Sequence, residues 1–266
     1  MKIGFIGAGH MAQAIMIGLC QQKYLAPSDI LVHSAHKSSY GPFAAEHSLT
    51  AMPSNAALVK QSDIVILAVP AKQTLAVVAD LQAEFDAKQP IVVSVAGGVS
   101  LAQLQENLDS TSLSIIRAMP NVNVAIGQGM TALVTGEATR AADLTQIEQL
   151  FQALGDITPL AEKDFAVFGA LAGSAPAYAY LFIDALSRAG VKYGLDKAVA
   201  TKIAAQTVLG SAANVAASDT NPWALIDQVS SPGGTTVAGL LAMEEAGLMT
   251  AVVKGIDATI AKENEA

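Results

Sequence analysis

The sequence predicts an α/β protein with an N-terminal doubly wound sheet domain over residues 1–158 and an all-helical domain over residues 159–266. Two observations favour this division. Before residue 158, short apolar runs of strand length alternate with helical patterns, as in parallel α/β sheets. After it, helical patterns separated by glycines fill the chain, and no strand is recognisable. A length of 266 residues suits two domains of modest size.

The first strand leads into a glycine-rich turn. Lys2 to Ile6 is a short apolar run, and Gly7, Gly9 and Ala12 follow it in a G-x-G-x-x-A pattern at the start of a helix. The first glycine of this pattern permits a tight turn, the second lets a pyrophosphate approach the backbone, and the small third residue lets helix and strand pack closely. The helix N-terminus offers N–H groups to the phosphates. The position between strand and helix favours a dinucleotide site over plain packing.

The end of the second predicted strand, Ile30 to His33, indicates which dinucleotide is bound. A site that prefers NAD usually carries an acidic residue about 20 residues past the glycines, where it holds the ribose 2′-hydroxyl. Here the stretch from Ser34 to Ser39 contains hydroxyls and the cation of Lys37 but no acid. These residues suit a 2′-phosphate. We therefore expect NADP(H), with NAD(H) and a merely solvated polar loop as the alternatives.

Four further apolar runs are expected to form strands, and a helical pattern closes the domain. The strands are Asp63–Val69, Pro90–Val95, Ser114–Met119 and Met130–Val134, and the helix is Ala141–Leu154, stopped by Gly155. In a parallel sheet, the residues just beyond the carboxyl ends of the strands form the cofactor crevice. The lining residues expected from this rule are Ala68, Val69, Pro70, Val95, Ala96 and Gly97.

The second half is apolar and helical. The expected helices are Phe165–Gly190, Asp196–Ala217, Pro222–Val229, Pro232–Ala246 and Leu248–Lys262. The charge-free run from Phe165 to Ile183 approaches bilayer length, but Gly169, Gly173 and Pro176 interrupt it, which argues against a membrane span. An apolar stripe favours a helix buried in a subunit interface, and so an obligate oligomer. The stripe consists of Tyr178, Leu181, Phe182, Ala185, Leu186 and Ala189.

Composition excludes several classes of function. A net charge of −8 without a basic run argues against nucleic acid as a partner. The single cysteine, Cys20, cannot form an internal disulfide and reads as a small buried side chain in a reducing compartment. No motif of metal-ligand spacing is present, so no metal is expected. Met1 stands directly before the first predicted strand, so we expect no signal peptide and a cytoplasmic protein.

A second candidate site lies between Val229 and Leu240. Ser231 fits a helix N-cap and Pro232 the first helical position, which would place Gly233 and Gly234 in the first turn. Two glycines inside a helix cost roughly 1 kcal/mol each, a cost that is easier to understand if a ligand approaches the backbone. A small carboxylate suits such a helix end. The alternative is a capped helix in close contact with another helix through its glycines.

The positions of the histidines and hydroxyls narrow the range of possible reactions. All four histidines lie in the first 47 residues, so a nucleophilic triad has no histidine in the second domain. Reduction of a carbonyl would call for a proton donor near the substrate, whereas a cyclic imine is protonated before hydride arrives. A hydroxyl such as that of Thr236 could then position the ring nitrogen. Tyr178 and Lys72 stay open as donors.

At this point the chain resembles the pyrroline-5-carboxylate reductase family over nearly its full length. The matching stretches are Phe5–Met11, Leu67–Val69, Ser94–Val99, Arg117–Asn121, Leu171–Tyr178 and Asp227–Thr236. The resemblance implies reduction of 1-pyrroline-5-carboxylate to L-proline, the last step of proline biosynthesis, by hydride transfer from NAD(P)H. It also implies a Rossmann domain followed by a helical domain that interlocks two subunits. Some members of the family assemble further into decamers.

The resemblance also implies roles for particular residues. Pyrophosphate contacts fall on the stretch from Ile6 to Met11, with Gly7, Gly9 and His10 inside it; other cofactor contacts fall on Ser34, Asn55 and Val69. The backbone of Gly233, Gly234 and Thr235 would take the substrate carboxylate, and Thr236 would hydrogen-bond the ring nitrogen as the catalytic residue. Met119 and Asn121 are placed on the substrate side. In the interlocked dimer this loop would meet the crevice of the partner chain.

The chain departs from the family pattern at several positions. The family usually has Val-Lys-Pro where this chain has Val69-Pro70-Ala71-Lys72. Ala166, Gly169 and Ala175 replace an acid, a threonine and a glycine, and Asp219 stands where a glutamate is common. These changes leave a related cyclic imine open as the substrate.

Two alternative functions stay open. A β-hydroxyacid dehydrogenase has a similar layout but usually carries a catalytic lysine in a helix of its second domain, and Lys192, Lys197 and Lys202 lack the surrounding motif. A non-enzymatic NADP-sensing protein would bind NADPH without turning over any cyclic imine. An assay with NADPH and either 1-pyrroline-5-carboxylate or a keto acid separates these possibilities.

Replacing Lys37 with Asp should lower the affinity for NADPH by about tenfold or more relative to that for NADH, because a carboxylate would replace the cation beside the 2′-phosphate. The measurement is the dissociation constant of each cofactor. An unchanged preference in Lys37→Asp would contradict the assignment.

Overall fold

A computed structural model describes residues 1–108 and 112–263. The chain divides into two compact units, the first comprising Met1–Gly173 and the second beginning at Ser174. The boundary expected at residue 158 falls inside a strand, Gly155–Pro159, and the sheet unit continues beyond it.

The first unit is built on a sheet of eight strands. They are β1 (Ile3–Ile6), β2 (Ile30–His33), β3 (Thr50–Ala51), β4 (Ile64–Leu67), β5 (Ile91–Ser94), β6 (Ile115–Pro120), β7 (Gly129–Thr135) and β8 (Gly155–Pro159). Their order is β3-β2-β1-β4-β5-β6-β7-β8. The described pairs are parallel except for the antiparallel pair β6–β7. Up to β6 this is the order of a nucleotide-binding doubly wound sheet.

The register brings the carboxyl ends of the central strands to one level. Ile6 at the end of β1 is aligned with His33 of β2 on one side and with Leu67 of β4 on the other. Leu67 is aligned in turn with Ser94 of β5. The strand order reverses at β1 and β4, so a crevice for a ligand opens above these ends.

Helices cover both faces of this sheet. They are α1 (His10–Gln21), α2 (Lys37–Glu46), α3 (Asn55–Gln61), α4 (Ala71–Ala79), α5 (Gln82–Lys88), α6 (Leu101–Leu108), α7 (Ala141–Gln152) and α8 (Phe165–Phe168). Alternate strand residues enter opposite cores. Ile64 and Ile66 join the cluster under α1 and α7, whereas Val65 and Leu67 join the cluster under α3, α5 and α6. The apolar runs that predicted strands are therefore strands buried on both faces, as expected of parallel sheets.

Several sequence expectations for this unit need correction. Ser38 and Ser39 belong to α2 rather than to a loop, and the short β3 and β8 were not expected. The helix expected to end at Leu154 ends at Gln152. Gly155 begins β8 with φ +146°, where a Cβ would lie 2.1 Å from the Gly129 carbonyl oxygen. The glycine therefore permits close strand pairing rather than stopping the helix.

The second unit is helical throughout residues 174–263. Its helices are α9 (Ala175–Lys192), α10 (Lys197–Ala216), α11 (Pro222–Gln228), α12 (Thr235–Glu245) and α13 (Leu248–Glu263). α9 and α10 are joined through Gly194, at φ +97°, and by an ionic cluster. Asp184 accepts hydrogen bonds from Lys197 Nζ at 2.6 Å and Arg188 Nε at 2.5 Å, which lower the pKa of its carboxyl to about 2.

One long helix was expected from Phe165 to Gly190. The structure instead has α8, a π-helical segment over Gly169–Ser174, and α9, which runs through Gly190 to Lys192. At Gly190 a Cβ would come within 3.1 Å of the Cβ of Ala200 in α10. Gly190 is therefore a close-packing position rather than a stop signal.

The second unit exposes much apolar surface. In the stripe on α9, Tyr178, Leu181 and Phe182 are 37%, 69% and 39% exposed. Among the described residues, one helical stretch, Glu162–Lys192 with mean hydropathy 1.5, has the length and composition of a membrane span. A folded chain rarely leaves so much apolar surface in water. This face therefore needs a partner.

Candidate active site

The glycine-rich turn has the geometry that its sequence predicted. Gly7 lies at φ +111°, and a Cβ there would be 2.5 Å from the carbonyl oxygen of Ala68 at the end of β4. Gly9 is the N-cap of α1, and apart from the adjoining backbone no atom of the described residues lies within 4 Å of the position that a Cβ would take. Gln13 steadies the turn by donating from Nε2 to the Ala8 carbonyl at 3.0 Å. The two glycines thus serve different needs, backbone packing at Gly7 and open space at Gly9.

A cleft of about 340 Å³ opens over this turn. It is lined by most of the expected cofactor residues: Gly7, Gly9, His10, Met11, Ser34, Ala68, Val69, Pro70, Val95, Ala96 and Gly97. Ala8, inside the stretch expected to hold the pyrophosphate, also lines the cleft, and sequence reasoning missed three further lining residues, Ala35, Ala71 and Gln73. They adjoin the expected positions in sequence, so the same strand-end rule could have found them.

Ile6 does not take the place expected of it. Its side chain is 1% exposed and belongs to the core cluster under α3, α5 and α6. Its carbonyl oxygen accepts the Ala68 N–H at 2.9 Å. Ile6 therefore supports the turn from below and does not line the cleft.

A second cavity, of about 500 Å³, shares Ser34 and Ala35 with the first. Its lining consists of His33, Ser34, Ala35, Lys37, Tyr40, Ala51, Met52 and Pro53. Ser34 and Lys37, both expected from the sequence, are thus brought together at the carboxyl end of β2. This cavity has the position of the adenosine end of a dinucleotide site.

Asn55 is not among the residues that line this cavity, but it contacts one of them. Its Oδ1 lies 2.6 Å from His33 Nδ1, and the His33 ring meets Tyr40 edge-on at 5.4 Å between ring centres. Tyr40 in turn donates its hydroxyl to the Met52 carbonyl at 3.0 Å. Asn55 therefore orients a wall residue. His33, Tyr40 and Met52 were missed because only the folded chain brings β2, α2 and β3 together.

Met119 and Asn121, expected on the substrate side, have packing and capping contacts. Met119 packs on a small cluster that includes Phe165 and Phe168. Asn121 is 6% exposed, and its Oδ1 accepts the N–H groups of Asn123 at 3.2 Å and Met130 at 3.3 Å. The Asn121 oxygen is therefore committed to the turn between β6 and β7.

The Ser-Pro-Gly-Gly-Thr-Thr segment differs from its expected geometry. α12 begins at Thr235 with Gly234 as its N-cap, so Ser231 is not the cap and Pro232 is not in the first turn. Gly233 lies at φ +70°, and the Gly234 N–H donates to the Ser231 carbonyl at 2.9 Å. Both glycines precede the helix, so the helix-interior cost does not apply. Gly233 is needed for the left-handed turn instead.

The donors at this helix end follow from that shift. The first bond of α12 runs from the Ala238 N–H to the Gly234 carbonyl at 3.3 Å, and the described part of the chain supplies no side-chain cap. Helix geometry leaves the N–H groups of Thr235, Thr236 and Val237 without partners inside the helix. A carboxylate would meet these three donors and the positive end of the helix dipole.

The other candidate donors are accounted for by their contacts. Tyr178 Oη lies 2.5 Å from Thr259 Oγ1, which itself donates to the Gly255 carbonyl, so the Tyr178 proton points to Thr259. Lys72 is exposed, and the cleft wall beside it is formed by Pro70, Ala71 and Gln73. Burial raises the pKa of the Cys20 thiol, which disfavours a reactive thiolate. Within residues 1–108 and 112–263, no group of three or more potential ligands is arranged to hold a metal ion.

Comparison with known proteins identifies the family. Residues 162–266 match the family model described as pyrroline-5-carboxylate reductase dimerisation, and residues 2–98 match the one described as NADP oxidoreductase, coenzyme F420-dependent. The chain is 34% identical to the pyrroline-5-carboxylate reductase of Synechocystis sp. over 100% of its own length and 98% of the relative. It belongs to the pyrroline-5-carboxylate reductase family.

Solved structures of family members share the fold. The Streptococcus pyogenes 1-pyrroline-5-carboxylate reductase is 38% identical, with a TM-score of 0.87, covering 100% of this chain and 99% of that one. The Plasmodium falciparum pyrroline carboxylate reductase, solved with NADP bound, is 28% identical, also with a TM-score of 0.87, covering 99% and 97%. The predicted fold class, a Rossmann sheet domain with a helical dimerisation domain, is confirmed.

The two glycines of the turn should fail in different ways when replaced in this family member. Gly7→Ala should lower the free energy of unfolding by about 1–3 kcal/mol or more, because it forces a strained φ and a clash with Ala68. Gly9→Ala should leave the free energy of unfolding near that of the wild type. It should lower the affinity for NADPH, because the added methyl group enters the open cleft. Thermal unfolding and NADPH titration separate the two effects. Equal loss of stability in both variants would contradict these roles.

Proposed function

We infer that the protein is a pyrroline-5-carboxylate reductase, which reduces 1-pyrroline-5-carboxylate to L-proline. Hydride passes from C4 of the reduced nicotinamide to the imine carbon, the C=N double bond becomes single, and the ring nitrogen keeps its proton. The observation that carries this proposal is the full-length relationship to reductases of that name. The intact Ser-Pro-Gly-Gly-Thr-Thr segment is the proposed substrate-binding element, and the cleft over the glycine-rich turn is the proposed cofactor-binding element.

NADPH is the proposed hydride donor. Ser34 and Lys37 line the adenosine-end cavity, where a hydroxyl and a cation suit a 2′-phosphate. The carboxylate that would hold an unmodified ribose is missing from this part of the sequence. NADH would fill the same cleft without that charge pairing and is the weaker donor. The pyrophosphate would lie over Gly9 at the N-terminus of α1.

The substrate carboxylate would be bound by the start of α12. The N–H groups of Thr235, Thr236 and Val237 point out of the helix end, whereas the Gly234 N–H is already used. The Thr236 hydroxyl is proposed to hydrogen-bond the ring nitrogen and so to fix the imine for attack. Hydride transfer requires near contact with the nicotinamide, so in the working assembly this segment must face a cofactor cleft.

The contacts of Lys197 argue against it as the catalytic lysine of a hydroxyacid dehydrogenase, and Lys192 and Lys202 lack the surrounding motif. Lys197 Nζ is held by Asp184 at 2.6 Å and by Ser187 at 2.9 Å. Lys192 Nζ lies 5.6 Å from the centre of the Tyr193 ring. Lys202 lies on an exposed position of α10. A lysine that acts as proton donor needs its ammonium free to meet the substrate.

The working form is proposed to be an obligate dimer. Residues 162–266 match a dimerisation model, and this region carries the exposed apolar stripe of α9. A second copy would cover that surface, which is why we propose a cytoplasmic protein with no membrane contact. Assembly of dimers into decamers, as in some family members, is compatible with this arrangement.

The proposed reaction is tested by NADPH oxidation with 1-pyrroline-5-carboxylate in the wild type and in Thr236→Ala. We expect turnover in the wild type and a kcat lowered about tenfold or more in the variant, because a hydrogen bond to a charged ring nitrogen is lost. NADPH affinity should stay the same. Thr236→Ser keeps the hydroxyl and serves as the control. Wild-type oxidation of NADPH only with a keto acid, or with no substrate at all, would overturn the proposal.

Light scattering should show a particle of at least two chains. Leu181→Glu, which places a charge in the α9 stripe, should shift the mass towards one chain, because a buried unpaired carboxylate opposes association. Leu181→Met keeps the apolar surface and should stay assembled. A stable wild-type monomer would contradict the proposed dimer.

A further inference from the structure

Glu162 joins three parts of the sheet unit through one carboxylate oxygen. Its Oε1 accepts the Leu101 N–H at 2.8 Å and Arg117 Nη1 at 2.8 Å. Leu101 is the first residue of α6, and Arg117 lies on β6. The two partners are far from Glu162 in sequence. A single side chain thus links the start of α6 to β6.

The first of these contacts bears on the cofactor cleft. α6 is preceded by the segment from Val95 to Ser100, of which Val95, Ala96 and Gly97 line the cleft. The Leu101 N–H has no partner inside α6, and a carboxylate at a helix N-terminus also meets the positive end of its dipole. Glu162 therefore holds the far end of the segment that forms this wall.

The second contact is the ion pair between Glu162 and Arg117 on β6. The Arg117 side chain is 10% exposed, and its guanidinium lies 4.7 Å from the centre of the Phe165 ring. Without Glu162, a nearly buried cation would lack its ion partner. An unpaired buried guanidinium is unfavourable, so the Arg117 side chain would turn towards solvent and displace the residues packed around it. Loss of Glu162 would therefore disturb β6 as well as α6.

The wall held in this way belongs to the nicotinamide end of the cleft. Ser34 and Lys37 at β2 mark the adenosine end, and the turn at Gly9 lies between the two ends. A dinucleotide that runs across β1 then places its nicotinamide over the ends of β4 and β5. This wall contains Ala68, Val69, Ala96 and Gly97.

We propose that Glu162 is a positioning residue for hydride transfer, acting through the Val95–Ser100 segment on the nicotinamide end of the cleft. It touches neither cofactor nor substrate. The proposal rests on the function inferred above for its effect on turnover, but its effect on cofactor binding holds for any reductase built on this cleft.

The test compares Glu162→Ala and Glu162→Gln with a matched control. Asp143 is a buried carboxylate that likewise accepts two hydrogen bonds, from Ser114 Oγ and from Arg140 Nε at 2.6 Å, and it does not line the cleft. Asp143→Ala should lower the Tm and leave kcat and NADPH affinity unchanged. Glu162→Gln keeps an oxygen for both donors but loses the charge beside Arg117, so it should retain clearly more activity than Glu162→Ala.

In Glu162→Ala we expect NADPH to bind several-fold more weakly and kcat to fall about tenfold, since small displacements of reacting groups are costly. Binding of adenosine 2′,5′-bisphosphate, which lacks the nicotinamide half, should be unchanged. If Glu162→Ala does not fold, Glu162→Asp replaces it, because the shorter side chain cannot reach both partners.

Three results would overturn the proposal. They are a Tm loss in Glu162→Ala with unchanged kcat and NADPH affinity, an equal loss of affinity for NADPH and for adenosine 2′,5′-bisphosphate, and a Glu162→Gln variant that is no more active than Glu162→Ala. If the wild type does not reduce 1-pyrroline-5-carboxylate, the proposed function fails. The comparison of the two ligands still decides the role of Glu162 in that case.

Discussion

The close approach of Gly7 to the end of β4 is the constraint on which the cofactor site depends. The aligned ends of β1 and β4 bring the Ala68 carbonyl against the turn, so that no side chain fits at Gly7. The turn is then free to present Gly9 and the start of α1 to open space. The strands, the turn and the first helix thus form one rigid unit, and the cleft exists because the backbone packs so tightly beneath it.

Much of this architecture could be predicted from the sequence because buried parallel strands appear as continuous apolar runs. Ile64 to Leu67 and Ile91 to Ser94 show this directly. Strand β3 could not be found, because two partly exposed residues carry no pattern. β7 was located, but its antiparallel pairing with β6 depends on the short connection through Val122–Ile126, which is too short for a crossover.

In the candidate site, too, some residues could be predicted from the sequence and others could not. Residues at strand ends, such as Val69 and Ala96, were predicted because topology alone places them in the cleft wall. Asn55 and Asn121 are expected to meet ligands, and the structure adds that their Oδ1 atoms contact His33 and the β6–β7 turn, which no sequence pattern reveals. At Pro232 the usual preference for the first helical position was overridden by the left-handed turn at Gly233.

The exposed apolar stripe of α9 has a consequence for how this protein responds to dilution. If folding of the helical half is completed only when a second copy covers Leu181 and its neighbours, the folded state is favoured by mass action. The melting temperature then rises with protein concentration, and folding and assembly become one equilibrium. A cell would hold the enzyme in its active form simply by keeping enough of it.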